Sequence, residues 1–488
     1  MRKLKEILSE LEIRKCLGDT NIDVSGICFD SREAAPGNAF VAVRGTITDG
    51  HKYILAAIGA GVSAIVCEEL PADADDKLCW VVVENSARAL AYMSSAFYNH
   101  PSSRIRLVGV TGTNGKTTIA SLLYKMFLNL GYRAGLLSTI GNMIFRDQRP
   151  ASHTTPDPLQ INRLLSEMAD AGCEYAFMEV SSIALHQHRT EGLCFDGAVF
   201  TNLSHDHLDY HGNFDSYIAA KKLFFDSLAK ESFALVNADD RRSSVMVQNT
   251  KASVSSYALK RGADFKCRIL EERFEGMLLN IDGTEVSTSF IGDFNASNLL
   301  AVYAVSVLLG ANKTEALTSI STMTPVDGRL EIIRDPKGKT AIVDYAHTPD
   351  ALENVLSAIN RIRRANEAVI TVVGAGGDRD RSKRPLMAAI AAEKSDRVIL
   401  TSDNPRSEDP DAIIADMMKG VAAGRLKNVL SISSRSEAIK TALMLAGDKD
   451  IVLVAGKGHE TYQEVKGTRS HFDDREEIKK YMNQSQTT

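Results

Sequence analysis

Gly112-Thr113-Asn114-Gly115-Lys116-Thr117-Thr118 stands between an apolar run, Leu107-Val108-Gly109-Val110, and a helical pattern that begins Ile119-Ala120-Ser121-Leu122-Leu123. The order is strand, phosphate loop, helix. Glycines let the backbone turn so that its N–H groups and the helix N-terminus face an anion, Lys116 adds a point charge at the β/γ-phosphates, and the Thr117 hydroxyl can reach Mg²⁺. The stretch therefore predicts ATP binding by residues 112–118. The general G-x-x-x-x-G-K-[ST] pattern would put its first glycine at 110, where this chain has Val110, so the loop is a shortened form, TGTNGKTT.

Working outward, the 488 residues exceed one ordinary core and predict about three domains. A composition of 44% hydrophobic and 24% charged residues is that of a globular protein. The net charge of −5 gives no reason to expect nucleic acid or an anionic membrane surface, so an anionic substrate must be met by local cations. Seven scattered cysteines without a C-x-x-C pair suit a reducing compartment. Charges fill the N-terminus where a signal peptide needs an apolar stretch, and no apolar run of membrane-spanning length occurs, which predicts a cytoplasmic protein without membrane insertion.

Residues 1–101 alternate short apolar runs with helical patterns and predict a small α/β domain. In 102–330 the runs 173–180 and 197–201 continue the parallel sheet of the phosphate loop, giving a central P-loop ATPase-type α/β domain. Within it, 252–291 alternates and carries Asp282-Gly283, which predicts a β-rich insertion with a hairpin. In 331–488 the pattern restarts with strands at 340–344, 369–374, 397–400 and 451–455, a C-terminal Rossmann-like α/β domain.

Glu179 ends an apolar strand, at the sheet edge where α/β folds bind ligands, and a surface glutamate is the plain alternative. Thr201-Asn202-Leu203-Ser204-His205-Asp206-His207-Leu208-Asp209-Tyr210-His211-Gly212 also follows a strand. His205, His207 and Asp209 match the start of an H-x-H-x-D-H dinuclear metal pattern, but Tyr210 stands where its fourth ligand belongs. Lys221 alone reads as a solvated helix lysine, and Asp344 alone as a helix cap before Pro349.

TGTNGKTT, MEVSS at 178–182, TNLSHDHLDYHG followed by AAKKLF at 219–224, GDFNASN at 292–298, DGRLE at 327–331 and DYAHTPDAL at 344–352 together resemble the Mur ligase family. The likeness runs from DSREAAPGNAFVAVRG at 30–45 to HFDDREEI at 471–478, so it covers nearly the whole chain. It implies an ATP-dependent amide ligase of peptidoglycan precursor synthesis, using Mg²⁺, two ions by expectation, and acting as a monomer on small molecules.

By the resemblance, Lys116, Glu179, His207 and Lys221 are the catalytic set. Thr117, Glu179, His207 and Lys221 are the magnesium contacts, with Lys221 carbamylated by CO₂. Asn298 and Arg329 would reach ATP from the central domain, Asp344 and His347 from the third, so closure would precede chemistry. Ser31, Thr154, Thr155, Ser181, Gln187 and Arg189 resemble contacts to a UDP-muramoyl peptide precursor held by the first two domains. The family run MEVSSHAL has Ile183 here in place of its histidine, and no role passes to His186.

The third domain selects the incoming amino acid in this family, and here it resembles the branch that adds meso-diaminopimelate to the D-glutamate of UDP-N-acetylmuramoyl-L-alanyl-D-glutamate. Asp403-Asn404-Pro405-Arg406 supplies the reason: an arginine can grip the distal carboxylate bidentately, and it would stay unpaired against L-lysine. Arg384 is the expected second carboxylate partner, with Gly456 and Glu460 at the distal ammonium. L-Lysine addition, folate polyglutamylation and a nucleotide-sensing scaffold without turnover are the alternatives.

Overall fold

The computed structural model describes residues 1–46, 48–72, 74, 77–206, 208–335 and 338–484. Three α/β units follow one another, each built on its own main sheet.

In the first, the strands lie in the order Ile13–Leu17, Cys79–Val83, Ala64–Cys67, Asn38–Val41, Gly26–Cys28, parallel except for the first pair. Helix Ser86–Phe97 covers one face. Its entry is fixed by Asn85, whose side chain accepts from Arg88 N at 2.9 Å, one of the orphan donors of a first turn. Residues 101–103 then form a single 3₁₀ turn that leads into the phosphate-loop strand.

The central sheet has eleven strands. Its parallel part runs Ala134–Ser138, Tyr175–Glu179, Arg106–Thr111, Gly197–Phe200, Phe233–Asn237, Ser253–Ala258 and Phe265–Arg273. The first five of these strands are almost continuously buried because helices cover both faces, which is why alternation is absent from their sequence, while Ser253–Ala258 and Phe265–Arg273 are largely exposed. The stretch expected as a β-rich insertion extends this same sheet. Tyr257 pairs with Phe265 in parallel, and the strands Gly276–Ile281 and Thr284–Thr288 complete an antiparallel edge. Met277, Leu279 and Ile281 alternate inward to the core that holds helix Asp293–Leu308, so the edge has no separate core of its own. The expected hairpin is present: Asp282 and Gly283 have φ of +46° and +91°, a two-residue turn with both central residues left-handed.

The third sheet is ordered Glu331–Arg334, Thr340–Asp344, Ile451–Ala455, Val369–Ala375, Arg397–Ser402, Val429–Ser431, and only its first pair is antiparallel. Strand Ile451–Ala455 returns between two earlier strands. Asp344, Gly376, Asp403 and Gly456 therefore lie together at or just past the carboxyl ends of neighbouring strands, where open α/β sheets hold ligands. Among the described residues no helix is long and apolar enough to cross a membrane.

Candidate functional site

The phosphate loop joins strand Arg106–Thr111 to helix Lys116–Asn129 through residues pressed against the next loop. Gly112 has φ +145°, and a Cβ there would lie 1.9 Å from Thr201 Oγ1; at Gly115, φ +89°, it would lie 2.8 Å from Asn298 Oδ1. Neither site admits a side chain. Asn202 fixes the turn, its carbonyl accepting from Thr113 N at 2.8 Å and its Oδ1 from Asn114 N at 3.0 Å. Thr113 Oγ1 also pairs with Tyr217 OH at 3.0 Å. Lys116 Nζ folds back onto the carbonyls of Gly112 and Thr113 at 3.0 and 2.9 Å, and burial depresses its pKa against the opposing pull of Glu179 and Asp206.

Glu179 is wholly buried, which removes the surface-glutamate reading. Its Oε2 accepts from Thr117 Oγ1 at 2.9 Å, and its Oε1 from Ser138 Oγ, Thr139 N and Thr139 Oγ1 at 2.8, 2.8 and 3.0 Å. Lys221 is likewise buried, so it is not a solvated helix lysine. Its Nζ donates to Gly112 O at 3.0 Å and lies 4.8 Å from the centre of the Tyr217 ring. Burial first and the Lys116 charge second hold its pKa well below the ordinary lysine value. His207 lies outside the described residues. Of the weighed dinuclear pattern, His205 pairs with Asp380 at 3.2 Å and Asp209 is exposed; among the described residues no group of three His, Cys, Asp or Glu is placed to hold a metal.

A cavity of about 230 Å³ opens beside the loop, lined from one side by Asn114, Gly115, Thr118, Asn298 and Arg329 and from the other by Asp344 and His347. Two units thus complete one pocket. Arg329 Nη2 donates to Thr117 Oγ1 at 3.2 Å, and its guanidinium lies 4.5 Å from the centre of the Tyr345 ring. Asp344 accepts from Leu330 N and Ala346 N at 2.7 and 2.8 Å, and burial raises its pKa in spite of Arg329. The cap before Pro349 is Thr348, whose Oγ1 accepts from Ala351 N at 3.3 Å, so Asp344 does not cap that helix. His347 Nδ1 sits 2.8 Å from Tyr345 O.

Behind Glu179 the expected precursor contacts form one network. Thr155 Oγ1 donates to Glu179 O at 2.8 Å and accepts from Ser181 N at 3.0 Å; Ser181 in turn caps helix Ser182–His186. Arg189 donates from Nη1 to Thr155 O at 2.8 Å and from Nε and Nη2 to Gln187 Oε1 at 3.0 and 2.6 Å. Thr154 Oγ1 pairs with Thr139 Oγ1 at 3.1 Å. Ser31 is placed separately, opening a 3₁₀ turn capped by Asp30 in the first unit.

The third unit supplies the other expected residues. Arg406 has φ +51° and donates from Nη1 to Gly377 O at 2.7 Å. Pro405 is buried, and a Cβ on Gly377 would meet its carbonyl at 1.9 Å, so the two loops are in closest contact here. Asn404 Nδ2 donates to Glu460 Oε2 at 2.9 Å, while a Cβ on Gly456 would lie 3.1 Å from Asp403 Oδ2. Arg384 departs from expectation. It is buried, with Nη2 on Glu408 at 2.8 Å and Nη1 on Asp416 at 3.0 Å, so its charge is already matched within the protein.

Three family profiles match in order: "Mur ligase family, catalytic domain" over 23–98, "Mur ligase middle domain" over 110–306, and "Mur ligase, glutamate ligase domain" over 328–458. The UDP-N-acetylmuramoyl-L-alanyl-D-glutamate--2,6-diaminopimelate ligase of Phocaeicola vulgatus is 54% identical over 98% of this chain and 99% of its own. That of Geobacillus thermodenitrificans is 41% identical over 97% and 98%. The chain belongs to the Mur ligase family. A solved structure of a UDP-N-acetylmuramoyl-L-alanyl-D-glutamate--2,6-diaminopimelate ligase superposes over 100% of both chains with a TM-score of 0.70 at 33% identity. A MurF ligase from Thermotoga maritima in complex with ADP, 19% identical, shares the fold over 94% of this chain and 98% of its own with a TM-score of 0.65.

As a Mur ligase the chain is an ATP-dependent ligase, and its central and third units meet through contacts the sequence reading missed. Asn114 Nδ2 donates to Asp350 Oδ2 at 2.8 Å, His205 pairs with Asp380, and Asp206 pairs with Lys383. Asp206 falls in a motif quoted for the family likeness, and Lys383 stands next to Arg384. Their pairing across 177 positions has no local signature.

Proposed function

We propose that this ligase joins meso-diaminopimelate to the side-chain carboxylate of D-glutamate in UDP-N-acetylmuramoyl-L-alanyl-D-glutamate, forming ADP and phosphate in peptidoglycan precursor synthesis. The observation that carries the reading is the closeness of two groups: Asp344 lines the cavity beside the phosphate loop with Arg329, its carbonyl accepts from Gly456 N at 3.0 Å, and Gly456 packs against Asp403 of the Asp403–Arg406 loop. The names of the relatives support the same substrates.

The D-glutamate carboxylate attacks the γ-phosphate of ATP, and the amine of diaminopimelate then displaces phosphate from the acyl phosphate. Lys116 and Arg329 meet the developing charge on the phosphoryl oxygens, and the loop N–H groups orient them; this is catalysis by positioning and electrostatics. Asn298, Asp344 and His347 bind the nucleotide. Thr154, Thr155, Ser181, Gln187 and Arg189 hold the precursor, with Ser31 at its uridine end. Arg406 grips the distal carboxylate of diaminopimelate, and Asp403, Asn404, Gly456 and Glu460 receive its distal ammonium. Arg384 supports this cleft from behind through Glu408 and Asp416.

The paired Thr117 hydroxyl and buried Glu179 carboxylate suit a hard cation, and with His207 and carbamylated Lys221 they would hold Mg²⁺, two ions in this reading. When bound, Mg²⁺ neutralises phosphate charge. Burial favours the neutral Lys221 amine, the form that adds CO₂.

The division 1–101, 102–330 and 331–488 assigns precursor, ATP and amino acid to successive domains. Seven free cysteines fit a cytoplasmic protein, and a site furnished by one chain fits a monomer. The test is ADP release with product mass. Release that requires ATP, precursor and meso-diaminopimelate together supports the reading, release indifferent to the amino acid overturns it, and no release at all overturns it in favour of a nucleotide-sensing scaffold.

A further inference from the structure

The amino-acid cleft contains an ammonium to which the reaction above gives no part. Lys457 follows strand Ile451–Ala455, and its side chain is completely buried. Its Nζ donates to Tyr462 O at 2.7 Å and to Asn404 Oδ1 at 2.9 Å, and it stands 3.4 Å from both Glu460 Oε2 and Asp403 Oδ1. Asn404 is oriented by this bond: its Oδ1 also accepts from Glu464 N at 3.0 Å, which leaves its Nδ2 for Glu460.

The charges around the cleft do not cancel. Asp403 and Glu460 are two carboxylates facing one ammonium. The next cation, Arg435, is committed to Asp474 through two bonds of 2.7 Å. Asp403 Oδ1 is buried and has no hydrogen-bond partner to supplement the Lys457 charge. The electrostatics agree: burial and the Asp403 charge raise the Glu460 pKa, while at Asp403 the Lys457 and Arg435 charges outweigh burial and lower it. A buried cluster with one excess negative charge is costly until a cation joins it.

Resting on the function proposed above, we propose that Lys457 is a positioning residue that sets the charge of the amino-acid cleft. By neutralising one of two carboxylates and fixing Asn404, it leaves a single net negative charge, matched to the one distal ammonium of a diamino acid. Without it the cleft would present two charges to one. With the lysine but only one carboxylate it would present none.

This arithmetic predicts that two harmful substitutions compensate. Glu460→Gln brings the cleft to neutrality and Lys457→Met brings it to minus two, and each is expected to raise KM for meso-diaminopimelate by at least about tenfold while KM for ATP stays within about twofold. The double variant restores minus one and, although it lacks the Lys457 bond that orients Asn404, is expected to show a KM for meso-diaminopimelate at least about threefold below that of Glu460→Gln, a coupling of opposite sign to the single effects. If Lys457→Met does not fold, comparing Glu460→Gln with the double variant decides. Losses in the double variant equal to or greater than those of Glu460→Gln, or KM for ATP rising in step, refute the charge role. A wild type that releases no ADP with meso-diaminopimelate refutes the functional reading beneath it, which is a different result.

Discussion

Replacing Lys221 by methionine removes an ammonium that the fold holds at a cost. The side chain is 1% exposed, its Nζ has the Gly112 carbonyl at 3.0 Å, and Lys116 repels it. Its pKa is lower folded than unfolded. Between those two values the unfolded chain binds a proton that the folded protein does not, so stability rises with pH, by at most about 1.4 kcal/mol per pH unit for one site. Below the folded value both states are protonated, the slope vanishes and the penalty is complete. Methionine of similar length has no such linkage. In CO₂-free buffer the variant should therefore melt above the wild type near pH 7, and the gap should narrow by up to about 3–6 °C per pH unit as pH rises, for a unit the size of the central domain.

Bicarbonate sharpens the test. It supplies the CO₂ that captures the neutral amine, so it should raise the melting temperature of the wild type and leave the variant unchanged. The variant should be inactive, and small carboxylic acids should restore a measurable part of its ADP release. Thermal scans from about pH 6 to about pH 9, with and without bicarbonate, read both effects. Parallel pH dependences in the two proteins, with no bicarbonate response, would refute the account of Lys221.

Glu179→Gln keeps the acceptor for Ser138 and Thr139 but turns an amide toward Thr117, so stability should change by no more than about 2 kcal/mol while kcat falls at least about hundredfold. Denaturation and ADP release separate the two, and a kcat within about threefold of the wild type would contradict a role at the phosphates. Arg435→Met leaves Asp474 buried and unpaired and should destabilise the third domain by about 3–5 kcal/mol in denaturant unfolding, with most of the loss recovered by adding Asp474→Leu. A loss below about 1 kcal/mol would show the pair to be dispensable.

The strands and the phosphate loop were legible because their signals are local: apolar runs, glycines that permit close approach, and the Asp282-Gly283 turn. Whether 252–291 formed a separate body was not, since that depended on Tyr257 meeting Phe265 in the existing sheet. The burial of Glu179 and Lys221 was equally hidden, as each alone reads as a surface residue. Arg384 shows the same limit differently. A positive charge in a binding motif attracts a functional reading, but Glu408 and Asp416 reach it only through the tertiary fold. Lys457 lies between Gly456 and Glu460, both expected at the distal ammonium, and only the packed side chains gave it partners.

The central claim is that Arg406 makes this cleft a diaminopimelate site. The direct measurement is a competition, with ATP, precursor and equal meso-diaminopimelate and L-lysine, in which the product is weighed for the wild type and for Arg406→Ala. The account predicts wild-type product carrying diaminopimelate, with lysine disfavoured on the order of 10⁴-fold, and a large fall in that ratio for Arg406→Ala. Comparable incorporation of both amino acids by the wild type, or an unchanged ratio in the variant, would contradict it.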